Sequence, residues 1–449
     1  MDGCVVASAN GSMLAPVMLL DHVTITGARQ VGMTLGNFVA FAPGSRNLTI
    51  VDGDGHIATI SPELAGHLPL GGRFEGNAQN AIWVGTGLVR DSTTWVDAGV
   101  PLRLVGQVMV EGPEEPVLTL PAGLVIRSDP LAVITVGKFA RGGLVVGDAG
   151  GPTVVLEASG AGLGGWGGIE ISDGALPSSF ARVEMRDCGG SAEACLRVYG
   201  GAGSGTRVHV EHVTIRGARS IGVQLWALAR FDATSTNLTV TESVDAPVEL
   251  PADAVASLPP GQYDQNGTDG IRLRWGDVTS SATWRSQGVP YLAPVGLAIA
   301  SPGDPTVLTL EPGVVVRMGP DTRVVIGDRS ALYAIGTAAD SITFASTTPG
   351  VAGSWIGVEL GHLADPGTRL QYVQIQDAGA GEPGEPGAAA ALRFQHDPGG
   401  VLRNSTIARS PNCGLVLFGG NDWADDYSAP TLGNAFVEVA GPLLCRPTS

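Results

Sequence analysis

The sequence predicts an all-β chain, a right-handed parallel β-helix wound as a single continuous rod of roughly 18 to 20 rungs. Three observations lead there. The chain repeats itself at a spacing of about 190 residues, its apolar runs are short and alternate with polar residues, and glycines and prolines fall between those runs. Repeated segments with small length changes at their loops suit a stacked, quasi-linear architecture, in which each coil touches only its neighbours.

The repeat is legible in matched strings. DHVTITGARQVG from Asp21 returns as EHVTIRGARSIG from Glu211, and Asn47-Leu48-Thr49-Ile50 returns as Asn237-Leu238-Thr239-Val240. Thr94-Trp95 returns as Thr283-Trp284, VLTLPAGLVIR from Val117 as VLTLEPGVVVR from Val307, and Trp166-Gly167-Gly168 as Trp355-Ile356-Gly357. The whole chain, 1–449, is therefore expected to be one β-helix domain built of a partial repeat 1–91, a full repeat 92–281 and a nearly full repeat 282–449.

Within the unit, strand-like runs recur every 20 to 25 residues by count along PLRLVGQVMVEG, VLTLPAGLVIRS, WGGIEIS, VHVEHVTIRGA and IGVQLW. VHVEHVTI alternates apolar and polar residues, the period of a strand with one buried face. Helical periodicity is nearly lacking; ADAVASL after Pro251 predicts a turn or two of helix. Sandwiches and propellers need hairpins with two-residue turns, and the connections here are longer and Gly-rich. Rungs stacked at the ~4.8 Å strand spacing would make a rod about 90 Å long. Val, Ile and Leu are expected to stack in the lumen, each worth roughly 1.5 to 3 kcal/mol. Gly217, Gly222, Gly357 and Gly379 are expected at turns that need positive φ.

Composition narrows the function. The 449 residues carry a formal charge of −17, which argues against a nucleic-acid partner, since phosphate binding needs clustered cations. Lys138 is the only lysine, a bias that fits a GC-rich bacterial genome. The apolar runs are too short for a transmembrane helix. Cys188 and Cys195 flank GGSAEA at a spacing that could close a small loop by a disulfide, whereas the pairing of Cys4, Cys413 and Cys445 is open. Cys4 falls near the repeat position of Cys195, and its mate would precede residue 1, so the chain is expected to be an N-terminally truncated piece of a longer repeat protein, its secretion signal lost with the missing part.

TWRSQGVPYLAPVGLAIA, the LTLEPGVVVRMGPDTRVVIGDRSALYAIGTAADSITFAS string, SWIGVEL and LQYVQIQDAG resemble the secreted right-handed β-helix repeat proteins of bacterial cell surfaces, the myxobacterial type especially. That resemblance implies an extracellular or cell-surface location on a scaffold shared with pectate lyases, and it implies no reaction.

Matched residues are expected to be rung-stacking residues, which sets aside His22 with His212, Arg29 with Arg219, Asp187 with Asp377 and Trp166 with Trp355 as catalytic candidates. Three unmatched groups remain. Asp52, Asp54 and His56 fall in a Gly-rich stretch read as a solvated loop. Arg272, Arg274 and Trp275 form an Arg-x-Arg-Trp strand whose arginines could line a groove. The most distinctive stretch runs from Asn421 through Asp422, Trp423, Asp425, Asp426 and Tyr427, joining an aromatic surface for sugar rings to carboxylates that could hold calcium, the one cofactor considered. Ser-His-Asp, Cys-His, zinc, P-loop and Rossmann signatures are lacking.

The function expected is that of a non-enzymatic, secreted or surface protein with a structural, adhesive or glycan-recognition role, its partners polysaccharide or cell-envelope components. A polysaccharide lyase or glycoside hydrolase, and a truncated fragment with no independent function, are the alternatives.

Overall fold

The computed structural model describes residues 3–8, 16–190, 193–201, 205–381, 389–418 and 422–446. Strand makes up 45% of the chain and helix 3%, and the strands stack in parallel as a β-solenoid of about 16 turns. The count falls below 18 to 20 because turns are longer than the sequence spacing suggested: register partners lie from 20 residues apart, at Ile82 and Leu102, to 36 apart, at Tyr333 and Arg369.

The chain divides into two compact units, one of Met1–Pro247 with Pro259–Thr268, the other of Val248–Leu258 with Asp269–Ser449. In the first unit, Ile82, Leu102, Ile126, Leu156, Met185, Ile215 and Val240 follow one another in register on successive strands. None is more than 1% exposed. In the second, Leu297, Val324, Val358, Leu392 and Leu415 form an equivalent buried row. Alternation along each strand produces these rows, because every second side chain points into the lumen.

Corners explain the matched polar residues. Arg182, His212 and Asn237 occupy successive turns with φ near 52°, 52° and 51°, each between flanking residues that stay in register. His22 and Asn47, their counterparts one repeat earlier, both have φ of 56°. Asn tolerates the left-handed region better than most residues, and the stacked corner supplies a partner: Asn47 Nδ2 lies 3.0 Å from His22 Nε2. These histidines are thus corner residues.

The duplicated tryptophans do equivalent work. Trp166 and Trp355 are fully buried, and each indole N–H donates to a backbone carbonyl, of Arg186 at 2.9 Å and of Gln376 at 2.8 Å. The helical stretch after Pro251 is a 3-10 helix, Ala252–Ser257, and its counterpart is Pro62–Gly66. Gly217, Gly357 and Gly379 have positive φ; Gly222 does not. It lies inside the strand Ile221–Ala227, where an added Cβ would meet Val240 Cγ1 at 2.2 Å and the Pro247 carbonyl oxygen at 2.8 Å. Close packing, not a turn, requires glycine there.

Two disulfides are formed, Cys188–Cys195 and Cys413–Cys445, and Cys4 is free and exposed. Among the described residues no helix is long and apolar enough to cross a membrane, which says nothing of a β-barrel.

Candidate functional site

The 422–427 segment follows the strand Cys413–Leu417 and folds as a clasp around Asp397, which one turn of the solenoid brings beneath it. Asn421 lies outside the described residues. Tyr427 is fully buried and its hydroxyl donates to Asp397 Oδ1 at 2.6 Å. Burial, reinforced by the neighbouring carboxylate, pushes the phenol well above its ordinary value. Asp397 also accepts from the backbone N–H groups of Gly399 and Ala424, both at 2.9 Å. Phe394 stacks on Tyr427 at 5.6 Å between ring centres, and Trp423 meets both rings edge-on at 5.8 and 5.9 Å.

The acids of the segment have separate duties. Asp425 accepts from the Gly400 N–H, Asp426 from the N–H and hydroxyl of Ser428, and the exposed Asp422 from Arg446 at 3.1 Å. Each faces its own donor, a poor arrangement for converging on one calcium ion. Among the described residues no three or more His, Cys, Asp or Glu side chains are grouped to hold a metal. The aromatic residues expected to form an open surface pack instead against one another.

His56 begins the strand His56–Ile60 and lies flat on Trp83, 3.8 Å between ring centres, with Nε2 2.7 Å from Thr59 Oγ1. Burial, and then the Arg103 charge, hold its pKa below the ordinary value. Arg103 sits 4.9 Å from the Trp83 ring and donates to Asp129 at 2.8 Å. Asp52 adopts a corner conformation with φ of 54°. The structure gives Asp52 no hydrogen-bonded link to His56.

Arg272 and Arg274 both turn to the buried carboxylate of Glu249. The expected Arg-x-Arg-Trp strand ends at Leu273, so Arg274 and Trp275 lie in the bend that follows it, and Trp275 behaves differently. It is 41% exposed, stands 5.4 Å from the Arg274 guanidinium, and lines an open cleft of about 440 Å³ with Asp277, Val295, Asp321 and Arg323. Arg323 is oriented by Glu359 at 2.9 Å.

The first unit carries a second open cleft, of about 490 Å³, lined by Lys138, Glu170, Ser172, Asp173, Tyr199 and Gly200. Its side chains come from the ends of strands on three successive turns. Arg197 faces Glu170 in register, donates to the Tyr199 hydroxyl at 3.0 Å and to Glu193 at 3.1 Å, and so fixes the tyrosine. Tyr199 lies over Trp226 of the next strand, 5.9 Å between ring centres. Sequence reasoning missed this cleft; the lone lysine and the aromatic residues closing ACLRVYG and IGVQLWA were the available signals.

Comparison of the chain with family models, with curated proteins and with solved structures finds no match.

Proposed function

We propose that the protein is a non-enzymatic, secreted or surface-displayed solenoid that recognises glycans through open clefts on its outer face. The observation that carries this is the composition of those clefts: Trp275 with Asp277, Asp321 and Arg323 in one unit, Tyr199 with Glu170, Asp173 and Lys138 in the other. An aromatic ring offers its face to the C–H side of a sugar, and flanking carboxylates and cations hydrogen-bond hydroxyls. Several weak sites carried on one chain gain avidity without high affinity at any one. Two disulfides favour an oxidising compartment, consistent with export. Envelope polysaccharides are the proposed partners.

Screening immobilised glycans, then titrating the best binder calorimetrically into wild type and Trp275→Ala, tests the proposal. Trp275→Ala is expected to weaken binding at its cleft about tenfold or more, on the scale of one lost aromatic contact. Equal affinity of the variant, or no glycan retained by wild type, would refute it.

A second proposal has one observation in its favour: Glu170, Asp173 and Lys138 share a cleft, as an acid–base pair acting on a polysaccharide would require. Release of reducing ends or of unsaturated uronates from a polysaccharide panel, abolished by Glu170→Gln, would establish it in place of the first.

A further inference from the structure

We propose that a separate cleft in the first unit, between Val39–Pro43 and the 3-10 helix Pro62–Gly66, binds a small organic ammonium ion that carries an apolar body. The cleft has a volume of about 360 Å³, and its lining joins apolar Val39, Phe41, Pro43 and Leu64 to polar Glu63, His67 and Asp91. That volume suits a small molecule, and an apolar lining with a few polar groups is what such a site needs. The apolar floor extends outward, since Ala40 pairs with Val17, which is exposed, and Phe38 beside it is exposed too.

The polar groups select the sign of the ligand. Each of the three can accept a hydrogen bond. His67 Nδ1 lies 3.1 Å from the Glu63 carbonyl oxygen. A carbonyl only accepts, so Nδ1 is the protonated nitrogen, and in the neutral ring Nε2 is left as an acceptor. Glu63 is partly matched by Arg90, whose backbone N–H donates to Oε1 at 3.3 Å and whose guanidinium stands 3.5 Å away. Arg90 is itself held over the Phe38 ring at 5.0 Å. Asp91 is exposed and has no hydrogen bond or ion pair with any described residue, so the cleft retains a negative charge next to an apolar floor. A primary ammonium brings three donors and one positive charge to these acceptors, and its hydrocarbon part covers Phe41 and Leu64. An anion would meet Asp91, and a sugar would leave the apolar wall wet.

The test uses phenethylammonium chloride and, as its neutral counterpart, 2-phenylethanol, titrated calorimetrically into the whole protein at low and high salt. Saturable binding of the ammonium at least tenfold tighter than that of the alcohol is expected, weakened by salt. Asp91→Asn should erase most of that preference, and Asp91→Glu should keep it within a few-fold. Because Asp91 is exposed, an unchanged melting temperature will show that the variants fold. Equal binding of ammonium and alcohol, an Asp91→Asn protein with undiminished preference, or no saturable ammonium binding would each overturn the proposal.

Discussion

Trp95 and Trp284 are repeat counterparts, both fully buried, yet among the described residues only the Trp95 indole N–H has a hydrogen-bond acceptor. Trp95 Nε1 donates to the carbonyl of Pro62, opening the first 3-10 helix, at 3.0 Å. Trp284 Nε1 is buried with no partner among the described residues, and its ring leans on Tyr291 at 5.1 Å instead. Replacing each by Phe removes the same atoms from an equivalent place, so the transfer and cavity costs nearly cancel between the two variants. What remains is the polar difference. Trp95→Phe leaves the Pro62 carbonyl without its donor, a loss of about 1 to 3 kcal/mol. Trp284→Phe removes a buried N–H that was already unsatisfied and relieves a cost of similar kind. Trp95→Phe should therefore destabilise its surroundings by at least about 2 kcal/mol more than Trp284→Phe, a factor of about 30 or more in local opening. Global melting would blur the result, because stacked repeats open locally. Hydrogen exchange of Val117–Leu120 in the first variant and Val307–Leu310 in the second reads the adjoining strands directly. Equal acceleration of exchange in the two strands would refute the reasoning.

Other consequences can be measured on the same protein. Since the folded state holds the His56 pKa low, the unfolded chain takes up a proton that the folded chain resists, so stability should fall as pH drops below about 6.5; His56→Gln should flatten the dependence of melting temperature between pH 7.5 and 5.5. Gly222→Ala drives a methyl group into Val240 and should cost about 1 to 3 kcal/mol in chemical denaturation. On the chain-entropy account, the 32-residue separation of Cys413–Cys445 makes that bridge worth about 3.7 kcal/mol, against about 2.4 for the seven-residue Cys188–Cys195. Replacing each pair by serines and following exchange near the lost bridge should rank them in that order.

Much of the architecture was legible because a strand's period of two is written in the residues themselves: VHVEHVTI alternates, and Val208, Val210, Val213 and Ile215 are buried. The phase of that alternation changes at His212, whose corner conformation turns the chain while its neighbours on both sides keep their register, and only the repeat with His22 hinted at a structural duty there. Gly222 was misread as a turn because glycine marks both sharp bends and close approaches, and the obstructing Val240 belongs to the next turn. The packing of the 422–427 segment was hidden for a related reason. Its composition suits an open sugar platform, but Asp397, which draws Tyr427 inward, stands 30 residues earlier in the chain. The Lys138 cleft is likewise assembled from side chains some 30 residues apart, Lys138, Glu170 and Tyr199, a separation at which no local motif is visible.

The unequal length of the turns has a consequence for how such a molecule can change. Strands that face the lumen are held to a common cross-section, whereas the connecting segments differ by as much as 16 residues between the shortest and longest register steps, 20 and 36. Surplus residues bulge outward without disturbing the coil above or below, at an entropic penalty that grows only slowly with length. New specificity can therefore be tried at the periphery, one connection at a time, while the interior continues to dictate how the chain winds.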